Sequence, residues 1–244
     1  MIRKNNSFSS MRSDELKENA FQIQEAYKTI RTNLLFSLVS SHTVLFTSYE
    51  PNAGKSISIA NVASSMAQTG AHVLLIDADM RNASQHKIFR VQNANGLSNV
   101  LSDIESSYEK IILCDVAENL DLFSAGPIPP NPSELLGSDR MRTLLAELSE
   151  KYDYIFVDAP PVGSVSDTLS LYKHFKNTVV VARENQSRHR DINRMIDQIN
   201  ALGANICGFI ITNVSPASKR ADRVYAKKNA KYIKASLGYS EDEE

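Results

Sequence analysis

An apolar run, Thr43-Val44-Leu45-Phe46-Thr47, passes through Ser48-Tyr49-Glu50-Pro51-Asn52-Ala53-Gly54-Lys55-Ser56 into an alanine-rich stretch with helical spacing. That order reads as strand, phosphate loop and helix. In such a loop, backbone N–H groups and the positive end of the helix dipole hold polyphosphate. A lysine bridges the outer phosphates and a hydroxyl ligates Mg²⁺. Lys55 and Ser56 fill those two roles, and Asn52, Ala53, Gly54 and Ile57 are the neighbouring candidates for nucleotide binding. The glycine that usually opens GxxxxGK[ST] is replaced by Tyr49, so this loop must turn differently. Asn52 supplies a bend, because asparagine tolerates positive φ better than most residues.

Gly-Lys-Ser at a helix start also arises by chance. Two further motifs make chance a poor explanation. Val73-Leu74-Leu75-Ile76 runs into Asp77-Ala78-Asp79-Met80-Arg81, and Tyr154-Ile155-Phe156-Val157 runs into Asp158-Ala159-Pro160-Pro161. A continuous apolar run ending in aspartate is the pattern of a buried parallel strand whose carboxyl end delivers an acid to the ligand crevice of an α/β sheet. Asp77, Asp79 and Asp158 are therefore candidates to reach that crevice beside Lys55 and Ser56.

The rest of the chain repeats βα units. A polar segment to about residue 18, expected to be mobile, precedes a helix from about Phe21 to Val39 with Ile23, Tyr27, Ile30 and Leu34 along one stripe. Further strands are expected at Leu120–Ser124, Thr178–Ala182 and Ile206–Val214, with a less regular region before the first of them. Asn131 caps a helix with Pro132 at its first position, predicted to continue to about Ser149. A helix from about Arg188 to Leu202 buries Ile192, Met195, Ile196 and Ile199. The expectation is one doubly wound α/β domain, mostly parallel, with helices on both faces.

A net charge of −1 argues against bulk nucleic-acid binding. The two cysteines, Cys114 and Cys207, lie in apolar stretches without CxxC spacing, which predicts buried, inert thiols. No apolar run is long enough to cross a bilayer, and the first residues lack the apolar core of a signal peptide. A cytoplasmic protein is expected.

Taken together, these residues resemble the bacterial P-loop tyrosine kinases of capsule and exopolysaccharide synthesis, over nearly the whole chain. The resemblance rests on Pro51–Ser56 as Walker A, Leu75–Arg81 as Walker A′, Phe156–Pro161 as Walker B, and the proline-rich Gly126–Pro132. The partition and cell-division ATPases share the sheet and a similar loop, but carry a lysine where this chain has Glu50. A carboxylate there repels phosphate, which favours the kinase branch of these deviant Walker P-loop proteins.

The resemblance implies ATP and Mg²⁺ as cofactors, Lys55, Asp77, Asp79 and Asp158 as the catalytic set, Ser56, Asp77 and Asp158 as the Mg²⁺ set, and Asp77 as the base, with Asp79 interchangeable with it. Asn213 is similar to the adenine-reading asparagine of related ATPases, and equally suits a strand-terminating turn. Arg81 and Asp167 stand as supporting residues. The resemblance further implies a mobile tail from about residue 216, phosphorylated in trans at Tyr225, Tyr232 and Tyr239. Self-association into a homo-oligomeric ring through Glu25, Lys28 and Arg31 is implied, as is a transmembrane adaptor that holds the kinase at the inner face of the membrane. An ATP-dependent scaffold that binds such an adaptor without phosphorylating tyrosine is the alternative.

Overall fold

A computed structural model describes residues 6–38, 40–103, 105–163 and 167–215. Seven strands form one sheet: β1 (Thr43–Ser48), β2 (Val73–Asp77), β3 (Leu113–Ala117), β4 (Leu120–Phe123), β5 (Tyr154–Asp158), β6 (Asn177–Arg183) and β7 (Asn205–Thr212), in the order β3-β4-β2-β5-β1-β6-β7. All neighbours pair in parallel except the β3–β4 hairpin at one edge.

The central strands sort their side chains by the two-residue period of an extended chain. Val44, Phe46, Val73, Leu75 and Phe156 pack towards α1 (Asn6–Ser37) and α2 (Lys55–Ala67). Leu45, Leu74, Ile76, Ile155 and Val157 face α4 (Leu97–Ser102), α5 (Pro132–Leu136), α6 (Asp139–Ser149), α7 (Asp167–Leu171) and α8 (His189–Ala201). Both faces are covered, which explains why these strands read as unbroken apolar runs. The remaining short helix, α3 (Gln85–Ile88), follows β2.

Several expectations require correction. Helix α1 starts at Asn6, well before Phe21. The stretch is polar but contains neither proline nor glycine, so nothing in it forbids helix. Its apolar stripe is unevenly covered, with Leu34 buried and Tyr27 and Ile30 half-buried, whereas Ile23 remains 55% exposed. The helix predicted from Pro132 to Ser149 is two helices. Gly137 closes the first, and the Ser138 hydroxyl accepts the Met141 N–H at 3.2 Å to cap the second.

Strand β3 was not legible in the sequence. Its ladder is interrupted, Asp115 has φ +51°, and the Asp115 N–H bonds Asp121 Oδ1 at 2.8 Å rather than continuing regular pairing. That irregularity also exposes Cys114, contrary to the buried thiol expected, while Cys207 is half-buried. Tyr225, Tyr232 and Tyr239 lie outside the described residues.

Candidate active site

Because β5 lies between β1 and β2, the chain brings all three motifs together. Asp77 sits opposite Asp158 in the β2–β5 register, and Asp158 sits opposite Phe46 at the end of β1. Asn52 (φ +61°) and Gly54 (φ +85°) turn the loop between β1 and α2, so Asn52 does supply the bend that the missing glycine leaves open. Glycine is favoured at 54 by its positive φ, where an L side chain is strained, and a Cβ there would also crowd Thr212 Cγ2 at 3.2 Å. The Thr212 hydroxyl donates to the Ala53 carbonyl at 2.6 Å and pins the loop to β7.

The loop opens onto a cleft of about 520 Å³, within the range of ligand sites. Asn52, Ala53, Gly54, Lys55, Ser56 and Ile57 line it, joined by Asp79 and Arg81. Asn213 is not among the lining residues; it is exposed just past β7 with φ +56°, the conformation of a turn. Lys87, which sequence reasoning did not single out, adds a second amine to the wall.

Lys55 is nearly inaccessible and ion-pairs with Asp158 and, at 3.9 Å, with Asp79. Asp77 is fully buried behind them. Its Oδ2 accepts the Ser84 and Gln85 N–H groups at 2.9 Å each, and its Oδ1 accepts the Asp79 N–H at 3.3 Å. Burial first, and then the charge of Asp158, push Asp77 up to about 7, against the pull of those N–H groups and Lys55. Asp79 is also raised, by burial first, with Lys55 opposing and Asp158 adding to the rise. One cation thus faces three buried carboxylates, a surplus of negative charge that suits a divalent cation.

Gln85 joins the motifs and was missed from sequence. It is fully buried, its Nε2 donates to Asp158 Oδ2 and to the Ser56 carbonyl at 3.1 Å, and its backbone N–H serves Asp77. Its Oε1 and the Ser84 hydroxyl are buried without a hydrogen-bond partner. An unmatched acceptor beside a carboxylate and a phosphate loop is where water around a hydrated cation would bond. Among the described residues no three acidic, His or Cys side chains converge as a ready metal cage. Mg²⁺ needs none, because it is commonly held by one or two protein oxygens together with phosphate and water.

Arg81 and Asp167 do pair, through Nε at 2.7 Å and Nη2 at 3.2 Å. Burial opposes the Asp167 charge, but the Arg81 and Ser133 hydrogen bonds outweigh it and hold that carboxyl below its ordinary range. Ser133 belongs to α5, so the pair ties the loop after β2 to the proline-rich segment. Glu50, in place of the partition-ATPase lysine, accepts the Ser187 hydroxyl at 2.5 Å. The proposed assembly residues are engaged within the chain: Lys28 pairs with Glu25 at 2.7 Å, and Arg31 donates to the Ser65 carbonyl at 2.6 Å.

A family profile described as an AAA domain matches residues 41–206. The tyrosine-protein kinase YwqD of Bacillus subtilis is 36% identical over 203 residues, 82% of this chain and 85% of YwqD. CapB of Staphylococcus aureus is 35% identical over 205 residues, 83% of this chain and 89% of CapB. The kinase domain of Escherichia coli tyrosine kinase ETK superposes with a TM-score of 0.75, at 33% identity over 80% of this chain and 77% of that chain. The chain spans only 32% of full-length Etk, a much longer protein. With Walker A, A′ and B converging on one nucleotide cleft and these relatives matching most of its length, the chain belongs to the bacterial P-loop tyrosine-protein kinase family.

Proposed function

We propose that this chain transfers the γ-phosphoryl group of ATP to tyrosines of a neighbouring copy, at Tyr225, Tyr232 and Tyr239, and so regulates capsular or exopolysaccharide synthesis. The observation that carries the catalytic part is the pairing of Lys55 with Asp79 and Asp158 at the cleft floor. The same reading places it at the inner face of the membrane through a transmembrane adaptor. It accords with this that no helix among the described residues is long and apolar enough to cross a membrane.

Phosphoryl transfer needs charge offset on the transferred group, an acceptor in line, and removal of the acceptor's proton. The loop N–H groups and Lys55 offset phosphate charge. Ser56 and Asp158 would hold Mg²⁺, which when bound supplies positive charge to the phosphates. Asp77 and Asp79 are interchangeable by sequence, but only Asp79 lines the cleft. Asp79 takes the tyrosine proton in this reading, and Asp77 positions it through the Asp79 N–H.

Gln85→Ala removes the donor shared by Asp158 and Ser56. Hydrogen bonds to charged groups contribute about 1.5–3 kcal/mol, so kcat is expected to fall roughly 10- to 100-fold, with nucleotide affinity within about threefold of the unaltered protein. Steady-state kinetics alongside nucleotide titration checks the split.

The reading as a whole is tested by mapping phosphate on the protein after incubation with Mg²⁺-ATP, with and without an adaptor's cytoplasmic fragment. Phosphate on the three tail tyrosines, lost when all three become Phe, supports it. ATP binding with no tyrosine phosphate under either condition would instead identify an ATP-dependent scaffold.

A further inference from the structure

The end of β6 and the start of α8 carry Arg183, Arg188, His189, Arg190 and Arg194 beside the phosphate loop. Two contacts fix this surface against the cleft. Arg183 Nη1 donates to the carbonyl of Asn52, a cleft-lining residue, at 3.4 Å, and Ser187 bonds Glu50. Arg188, Arg190 and Arg194 are exposed, and among the described residues none of them makes an ion pair within 4 Å. Arg190 and Arg194 stand four apart, on one helix face. Asp191 and Asp197 are the acidic residues of the same helix. Arg188 is the N-cap and makes no side-chain capping bond, and cations at that end oppose the helix's own dipole, so local stability does not account for them.

The sequence beyond the described residues has segregated charge. Lys219, Arg220, Arg223, Lys227, Lys228, Lys231 and Lys234 come first, followed by Glu241-Asp242-Glu243-Glu244 two residues after Tyr239. We propose that this basic surface docks Glu241–Glu244 of a second copy, and so delivers Tyr239 to the cleft. Two residues of extended chain span about 7 Å, so the tyrosine stays close to wherever the acidic run is held. The basic stretch of the tail is repelled by the same surface, which sets the direction in which the tail lies and favours Tyr239 over Tyr225 and Tyr232. This deepens the kinase reading and rests on it.

Two full-length proteins test the docking. The donor has its three tail tyrosines changed to Phe; the acceptor carries Asp79→Asn and an intact tail. With Arg188→Glu, Arg190→Glu and Arg194→Glu in the donor, transfer to Tyr239 is expected to fall about tenfold, the sum of a few exposed charge pairs. Its nucleotide affinity should stay within about twofold. Lysines at 241–244 of the acceptor should restore Tyr239 transfer by the reversed donor. Equal transfer by both donors, or no recovery on the charge swap, overturns the proposal.

Binding of a labelled peptide of residues 236–244, read by fluorescence anisotropy at low salt, separates docking from catalysis. If no tyrosine is phosphorylated by the unaltered pair, the kinase reading fails, while peptide binding that the reversal abolishes still supports the docking surface. Loss of binding to phosphatidylglycerol vesicles on reversal, with Tyr239 transfer intact, assigns the surface to lipid and overturns the proposal.

Discussion

Lys55→Met is expected to abolish tyrosine phosphorylation and also to weaken the fold. Losing one positioned charge-stabilising group typically costs about 3–4 kcal/mol of barrier, roughly 10²- to 10³-fold in rate. The same amine is the cation that faces Asp79 and Asp158 directly, with Asp77 behind them. Removing one partner of a buried pair costs about 3–5 kcal/mol, which at this chain length lowers the melting temperature by on the order of 10 °C. The loss should be largest at pH 8 and shrink towards pH 5.5, where Asp77 and Asp79, both raised chiefly by burial, more readily take up protons. Calorimetry of both proteins across that range checks it. A variant that melts like the unaltered protein at pH 8 would show that Lys55 does not compensate this cluster.

Much of that cluster was legible because its signals are local. Lys55 and Ser56 follow a strand, and Asp77 and Asp158 each end an apolar run; once strands are parallel, their carboxyl ends must share one edge of the sheet. What was not legible depends on tertiary contact. Gln85 looks like any polar residue after a turn, and only burial shows it joining Ser56, Asp77 and Asp158. The choice between Asp77 and Asp79 needed depth, which a two-residue spacing cannot supply. Strand β3 escaped because a positive φ at Asp115 breaks its alternation, and the break at Gly137 escaped because helical spacing resumes at Met141. Asn213 had two readings from sequence, and its exposed turn conformation away from the cleft accords with the turn.

Asp79→Asn should leave a folded but nearly inactive protein. General-base contributions are typically about 10²- to 10⁴-fold. The substituted amide keeps an oxygen for the Asn82 N–H that Asp79 Oδ1 accepts at 3.2 Å, so the melting temperature should move little. In the unaltered protein the rate should rise with pH as Asp79 loses its proton, and this happens above the ordinary carboxylate range because burial raises it. Asp77 is expected to show itself in stability instead. Its folded value of about 7 exceeds the ordinary 3.8, so its contribution is fully present below 3.8 and is lost as pH rises through about 7.

His86 and His174, both lowered chiefly by burial, give the opposite slope below 6.5. The informative quantity is therefore the difference between Asp77→Asn and the unaltered protein, which should grow in favour of the variant from pH 5 to pH 8. Paired melting curves and pH–rate profiles separate the two aspartates. A rate profile flattened by Asp77→Asn, with Asp79→Asn still active, would reverse their roles: the buried carboxylate would then have to gain access to the acceptor through movement of the loop between Asp77 and Ser84.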